Sequence, residues 1–172
     1  MTSEKSNLCT MHITLRQATK TDVPLICALA DQIWHAHYPD IITHEQIDYM
    51  LELWYNPDLI QEQIVTQQQQ FWMITVDDAT QACGYLAIGK KEEGAYYLHK
   101  FYIDQRGKGI GAQVFQMVLD KYPDLRTLRL NVNRRNIKSV NFYFKMGFKI
   151  ESVMDLQVGD RFIMDDFVMV KS

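Results

Sequence analysis

Cysteine, proline and glycine are scarce in this chain: three, four and eight among 172 residues. Cys9, Cys27 and Cys83 are odd in number and carry no metal-ligand spacing. A disulfide framework and a cysteine-built metal site are therefore excluded as organising principles, and the thiols read as reduced cysteines of a cytoplasmic protein. So little Pro and Gly also excludes a collagen-like or low-complexity chain. No apolar run approaches the roughly 20 residues of a membrane-spanning helix, and no membrane partner is expected. The opening MTSEKSNLCTM lacks the cationic start, apolar block and cleavage site of a secretion signal. Residues 1–11 read as a flexible lead-in, and 12–172 as one domain, since this length is too short for two ordinary ones.

Net charge is only -3, which argues against a polycation for nucleic acid. Its distribution is uneven. Lys100 to Lys149 holds 11 Lys and Arg against Asp104, Asp120 and Asp124, a net +8, while the remainder carries -11. A basic third inside an acidic chain points to an anionic ligand there, against the alternative of ordinary solvated charge.

Ile13 to Gln17 alternates apolar and polar and reads as a strand. Thr21-Asp22-Val23-Pro24 is a helix start, with Val23, Ile26, Ala30, Ile33 and Trp34 at helical spacing behind it. Thr43 caps a second helix carrying Ile47, Met50, Leu51 and Trp54, and Asn56-Pro57 opens a third. Phe71–Val76, Ala82–Ile88 and Tyr96–Ile103 form an antiparallel meander. A helix over Gly109–Tyr122, a strand at Leu128–Val132, a helix over Asn136–Met146 and two strands, Phe148–Leu156 and Arg161–Val170, complete one mixed α/β domain.

The most informative segment is Gln105-Arg106-Gly107-Lys108-Gly109-Ile110-Gly111-Ala112, a turn from strand to helix. Its glycines allow close backbone approach, and the helix start offers unpaired N–H groups to a pyrophosphate. A P-loop needs a different spacing ending in Lys-Ser/Thr. The dinucleotide fingerprint is met by Gly107, Gly109 and Ala112, but Arg126 to Asn131 lacks the ribose-binding acid expected about 20 residues on. An acyl-CoA site is the third reading.

Arg106-x-x-Gly109-x-Gly111, followed by Asn136 and then Phe142-Tyr143-x-x-x-Gly147-Phe148 on the next helix, resembles the GNAT superfamily of acetyl-CoA-dependent N-acetyltransferases. Leu98 to Ile103, Val158-Gly159-Asp160 and Met164 to Met169 are similar to PaiA-like polyamine acetyltransferases, although such relatives often carry Glu where this chain has His99. The resemblance implies a single GNAT-type α/β (α+β mixed) domain, with a mostly antiparallel sheet of about seven strands, splayed fourth and fifth strands, and helices on both faces. It implies acetyl-CoA as cosubstrate, with no metal. It also implies a loop from Arg106 through Gly107, Lys108, Gly109, Ile110 and Gly111 to Ala112 around the diphosphate. Phe101, Tyr102 and Ile103 would lie along the pantetheine, Asn136 and Tyr143 near the sulfur, and Lys138 and Lys145 near the nucleotide.

Acetyl transfer requires a neutral amine and a protonated leaving thiol. An alkylamine of pKa about 10.4 is free base in only about one part in 10³ to 10⁴ at pH 7. His99 is the candidate base, directly or through water, and strand parity expects its side chain beside those of Phe101 and Ile103. Tyr143 is the candidate acid toward the thiolate. Trp34, Tyr38, Tyr49 and Trp54 read as core, some of them lining an acceptor pocket. Asp165 or Asp166, and Asp40, Glu45 and Glu52, are acids that a cationic acceptor could meet. His35 and His37 point apart on a helix and make no metal pair. The expected reaction is acetylation of a small primary amine or polyamine. Protein N-termini or lysines, or a CoA sensor without turnover, are the alternatives, and homodimerisation is left open.

Overall fold

The computed structural model describes residues 11–77, 79–105, 107 and 109–172. The lead-in up to residue 10, and with it Cys9, lies outside the described residues, as do Arg106 and Lys108.

Alternation and capping residues place the elements close to their expected bounds. β1 (Ile13–Gln17) runs into a 3-10 turn (Lys20–Asp22) and α1 (Val23–His37). Asp22 does not cap α1 with its side chain. Its carboxylate reaches back to the Thr19 amide (2.8 Å) and to the Arg16 guanidinium (2.7 and 3.0 Å). α2 (His44–Trp54) starts where the Thr43 hydroxyl accepts from the Gln46 amide, and α3 (Pro57–Val65) where Asn56 accepts from Asp58. β2 (Gln70–Val76), β3 (Gly84–Glu92) and β4 (Ala95–Ile103) form the meander. β3 extends beyond its apolar run because Lys90 to Glu92 lie at the exposed hairpin end, where polar side chains stay solvated. α4 (Ile110–Asp120), β5 (Thr127–Asn133), α5 (Ile137–Lys145), β6 (Lys149–Val158) and β7 (Phe162–Lys171) follow.

The seven strands form one sheet in the order β1-β2-β3-β4-β5-β7-β6. Only β4 and β5 run parallel, joined by α4 as a crossover. One face packs against α1, α2 and α3, with Ile26, Ile33, Ile47, Phe71 and Tyr85 at the centre. The other packs against α4 and α5, with Ile74, Leu86, Val114, Leu128 and Leu130. Strand periodicity sorts β2 between the two: Phe71 and Met73 enter the first core, Ile74 and Val76 the second.

Candidate active site

Two irregularities in β4 make the site. The first is its parting from β5. Ala95, Tyr96 and Tyr97 pair with Thr127, Leu128 and Arg129, and the ladder stops there. From Leu98 to Ile103 the side of β4 turned toward β5 has no strand partner, so its backbone groups open onto a cleft between the two strands.

The second is a bulge. Lys100 pairs with Ala87 and Leu98 with Ile88 on β3, leaving His99 without a cross-strand partner. A bulge inserts one residue and reverses the parity beyond it. Tyr96 and Leu98 face the α4–α5 core, and so do Phe101 and Ile103, while Tyr102 faces the α1–α3 core. The expectation that His99 shares a face with Phe101 and Ile103 is therefore corrected. Its ring lies 4.9 Å from that of Tyr97 and packs over Gly89, on the opposite face.

A cavity of about 600 Å³ occupies the opening. Phe101, Tyr102 and Ile103 line it, as do Gly107, Gly111, Asn136, Lys138 and Tyr143. At one end stands the N-terminus of α4. Gly107 and Gly109 hold φ of +90° and +71°, a region costly for other residues, and an added Cβ at either would project into open space. Among the described residues no side chain caps α4 and its first turn carries no acid; the Ile110 amide donates to the Gly107 carbonyl at 3.4 Å, while the Gly111 and Ala112 amides and the positive dipole end remain available to an anion. Ile110 and Ala112 belong to that turn by their backbones. The Ile110 side chain is buried in the core, and Ala112 faces a separate groove with Lys145, Met146 and Lys171. Lys138, at the start of α5, lines the cleft; Lys145, at its end, does not. Asn136 both lines the cleft and caps α5, accepting from the Ser139 amide at 3.2 Å. A coenzyme with a diphosphate and a peptide-like arm fits this donor set: helix-start amides for the one, an unpaired strand edge for the other.

The other end is aromatic. Trp34, Tyr38, Trp54 and Tyr55 form its wall with Met50 and Met164. Trp34 stacks on Tyr38 at 4.8 Å. Tyr49 stands apart, packed on Phe162 at 5.4 Å. Asp40, Glu45 and Glu52 do not line the cavity, and Glu45 is paired with Arg161 at 2.6 Å. Of the Asp165-Asp166 pair, only Asp166 faces the cleft. His37 also lines it, whereas His35 turns to Asp48 at 2.9 Å.

Burial shapes the titrating groups. Tyr143 packs edge-on against Phe142 and Phe148, and desolvation pushes its phenol well above the ordinary value, so it stays protonated. His99 is drawn down to about 4 by desolvation and then by Lys100 and Lys91, which keeps the ring neutral but weakens it as a base. Lys100, which sequence reasoning passed over, lies over the Tyr55 and Phe71 rings at 5.5 Å each, and burial lowers it to about 8. Plain alternation already separates Lys100 from Phe101. Gln105, Asn131, Asn133 and Ser139 also line the cleft, and nothing in their spacing announces it.

Residues 40–162 match the family described as an acetyltransferase (GNAT) domain. A peptidyl-lysine N-acetyltransferase, YjaB, of Salmonella typhimurium is 34% identical over 77 residues, 45% of this chain and 49% of that protein. The chain thus aligns with about half the length of the curated relatives it matches. Among solved structures, PaiA N-acetyltransferase from Thermoplasma acidophilum, in complex with coenzyme A, superposes with a TM-score of 0.76 at 24% identity, covering 93% of this chain and 98% of that one. A GCN5-related N-acetyltransferase from Rhodopseudomonas palustris gives 0.74 at 13%, covering 92% and 94%. At such identities the structures speak for the fold, and the match over 40–162 speaks for the family: the chain belongs to the GNAT acetyltransferases.

Proposed function

We propose that this chain is an acetyl-CoA-dependent N-acetyltransferase acting on a small primary amine, polyamines included. The observation that carries the reading is the open edge of β4, which borders one continuous cavity running from the start of α4 to an aromatic acceptor end. In this reading, amides of Gly109, Gly111 and Ala112 hold the diphosphate together with the loop cations Arg106 and Lys108, and Lys138 stands near the nucleotide. The backbone of Phe101, Tyr102 and Ile103 aligns the pantetheine arm as an added strand, with Asn136 beside it. The bound coenzyme supplies an acetyl group activated as a thioester.

The chain's own residues then do four things. A backbone N–H near the β4 bulge polarises the acetyl carbonyl, as an oxyanion hole does. Tyr143, held protonated, donates a hydrogen bond where the thiolate develops. The aromatic wall strips water from the incoming amine and so favours its neutral form. His99, neutral in the same cleft, accepts a hydrogen bond from the amine directly or through water, as a weak base.

A second reading, acetylation of protein lysines, is favoured by the 34% identity to a peptidyl-lysine N-acetyltransferase. Thiol release from acetyl-CoA, measured across small amines, polyamines and lysine peptides with mass spectrometry of the products, tests both. The expected result is thiol released in step with acetylated amine. Coenzyme A binding with no release for any amine would instead make the chain a sensor of the coenzyme.

A further inference from the structure

One carboxylate in the cleft has, among the described residues, no partner equal to its charge. Asp166, on β7, is 1% exposed, and its Oδ1 makes no hydrogen bond among the described residues. Its neighbour Asp165 is engaged elsewhere, with Asn133 at 2.9 Å and Arg135 at 3.4 Å. Arg134, whose charge Asp166 feels, is paired with Asp155. Burying a carboxylate without a counter-charge is costly, and such a site gains most from a cation that arrives to pair with it.

The surroundings say what kind of cation. Asp166 is the only acid among the described residues lining the cavity, where the ionisable groups around it include His37, His99, Lys100 and Lys138. A ligand with several ammonium groups would bring its further charges against bases. The remaining wall is Trp34, Tyr38, Trp54, Met50 and Met164, which suits an apolar stem and, through its ring faces, one cationic head.

We propose that Asp166 receives the ammonium group of the acceptor and takes its proton, and that the acceptor is a primary amine with a single positive charge on an apolar stem. The proposal rests on the N-acetyltransferase reading and narrows it. In the step itself one ammonium N–H bond breaks, its electron pair stays on nitrogen as the nucleophile, and the proton passes to Oδ1 and later to water. The groups that act on Asp166 are Tyr97 from β4, Asn131 from β5, Arg134 beyond it and Asp165 alongside, while His37, His99 and Tyr143 line the same cavity. Desolvation raises the carboxyl to about 6 against the hydrogen bond from Asn131, closer to a base matched to neutral pH than an ordinary carboxylate is. A free alkylamine and a lysine side chain share the required chemistry.

The first test needs no acetyl-CoA. Calorimetry on the intact protein should show hexylamine binding at least about tenfold tighter than hexanol, and equal affinities would overturn the ammonium role. Asp166→Asn should abolish that preference while coenzyme A affinity, which reports an intact cleft, stays within about threefold; a variant that keeps the preference overturns the proposal. In turnover near neutral pH, the substitution should raise KM for hexylamine by at least about tenfold. KM for trifluoroethylamine, uncharged under those conditions, should rise far less, and equal rises would mark Asp166 as merely structural. A higher kcat/KM for hexylamine or for a lysine peptide than for spermidine supports the single-charge class and identifies the source. Spermidine ahead of both overturns it. If no amine releases thiol with the unaltered protein, the acetyltransferase reading fails, and the calorimetric comparison still decides whether Asp166 binds ammonium.

Discussion

Tyr143 and Asp166 illustrate opposite uses of burial. Desolvation opposes the charged form of each, and it leaves Tyr143 a committed hydrogen-bond donor and Asp166 a carboxylate that gives up its charge readily. Tyr143→Phe removes the donor and little volume. It should lower kcat by about 10 to 100-fold and leave acetyl-CoA affinity within about threefold, as steady-state kinetics beside calorimetry would show. An unchanged kcat would take Tyr143 out of the chemistry. For Asp166 the folded value of about 6 lies above the unfolded value of about 3.9, so the folded state binds the proton more tightly. Its burial therefore costs nothing below about pH 4, costs progressively more between about 4 and 6, and is felt in full above. Asp166→Asn is expected to stabilise the protein at neutral pH by up to roughly 3 kcal/mol, and the gain should nearly vanish by about pH 4. Urea unfolding at the two pH values checks this; a gain independent of pH would mean that the carboxylate is already paired. The place of Tyr143 in the cleft was legible because it sits in a spaced motif. Asp166 was legible only as one of two adjacent acids, since parity separates the pair without saying which member faces the cleft.

At the scale of the element, β4 departs most from its sequence pattern. Alternation placed the strand to within a residue and put His99 on the face of Phe101. The bulge reversed that, because an inserted residue leaves no mark in the local alternation of polar and apolar side chains. The helix ends were easier. Thr43, Asn56 and Asn136 each accept from an amide of the helix they precede, a contact within a few residues along the chain. The open edge of β4 makes its own prediction. Addition of coenzyme A should slow amide exchange at Phe101 and Ile103 by at least about tenfold, and leave β2, paired on both sides, unchanged. Exchange at 101 and 103 indifferent to the coenzyme would mean that the arm does not lie along this strand.

In the whole molecule two cores share one sheet, so neither is expected to survive loss of the other. Leu128 is fully buried in the core under α4 and α5, at the last stretch where β4 and β5 still pair. Leu128→Ala should cost about 2–5 kcal/mol. Trp34 and Trp54 report on one face and Trp72 on the other, so tryptophan fluorescence and circular dichroism should trace a single coincident urea transition. Two separate transitions would show the layers unfolding independently. The chain's own pattern determined the seven strands, the helix boundaries and the glycine turn before α4, because periodicity, caps and backbone permissiveness are properties of neighbouring residues. Tertiary structure alone decided where β4 leaves β5, which way His99 faces, that Lys138 rather than Lys145 reaches the cleft, and that Asp166 is buried there with its Oδ1 unbonded among the described residues. Each of these depends on what a distant segment places opposite, and burial is a property of the assembled layers.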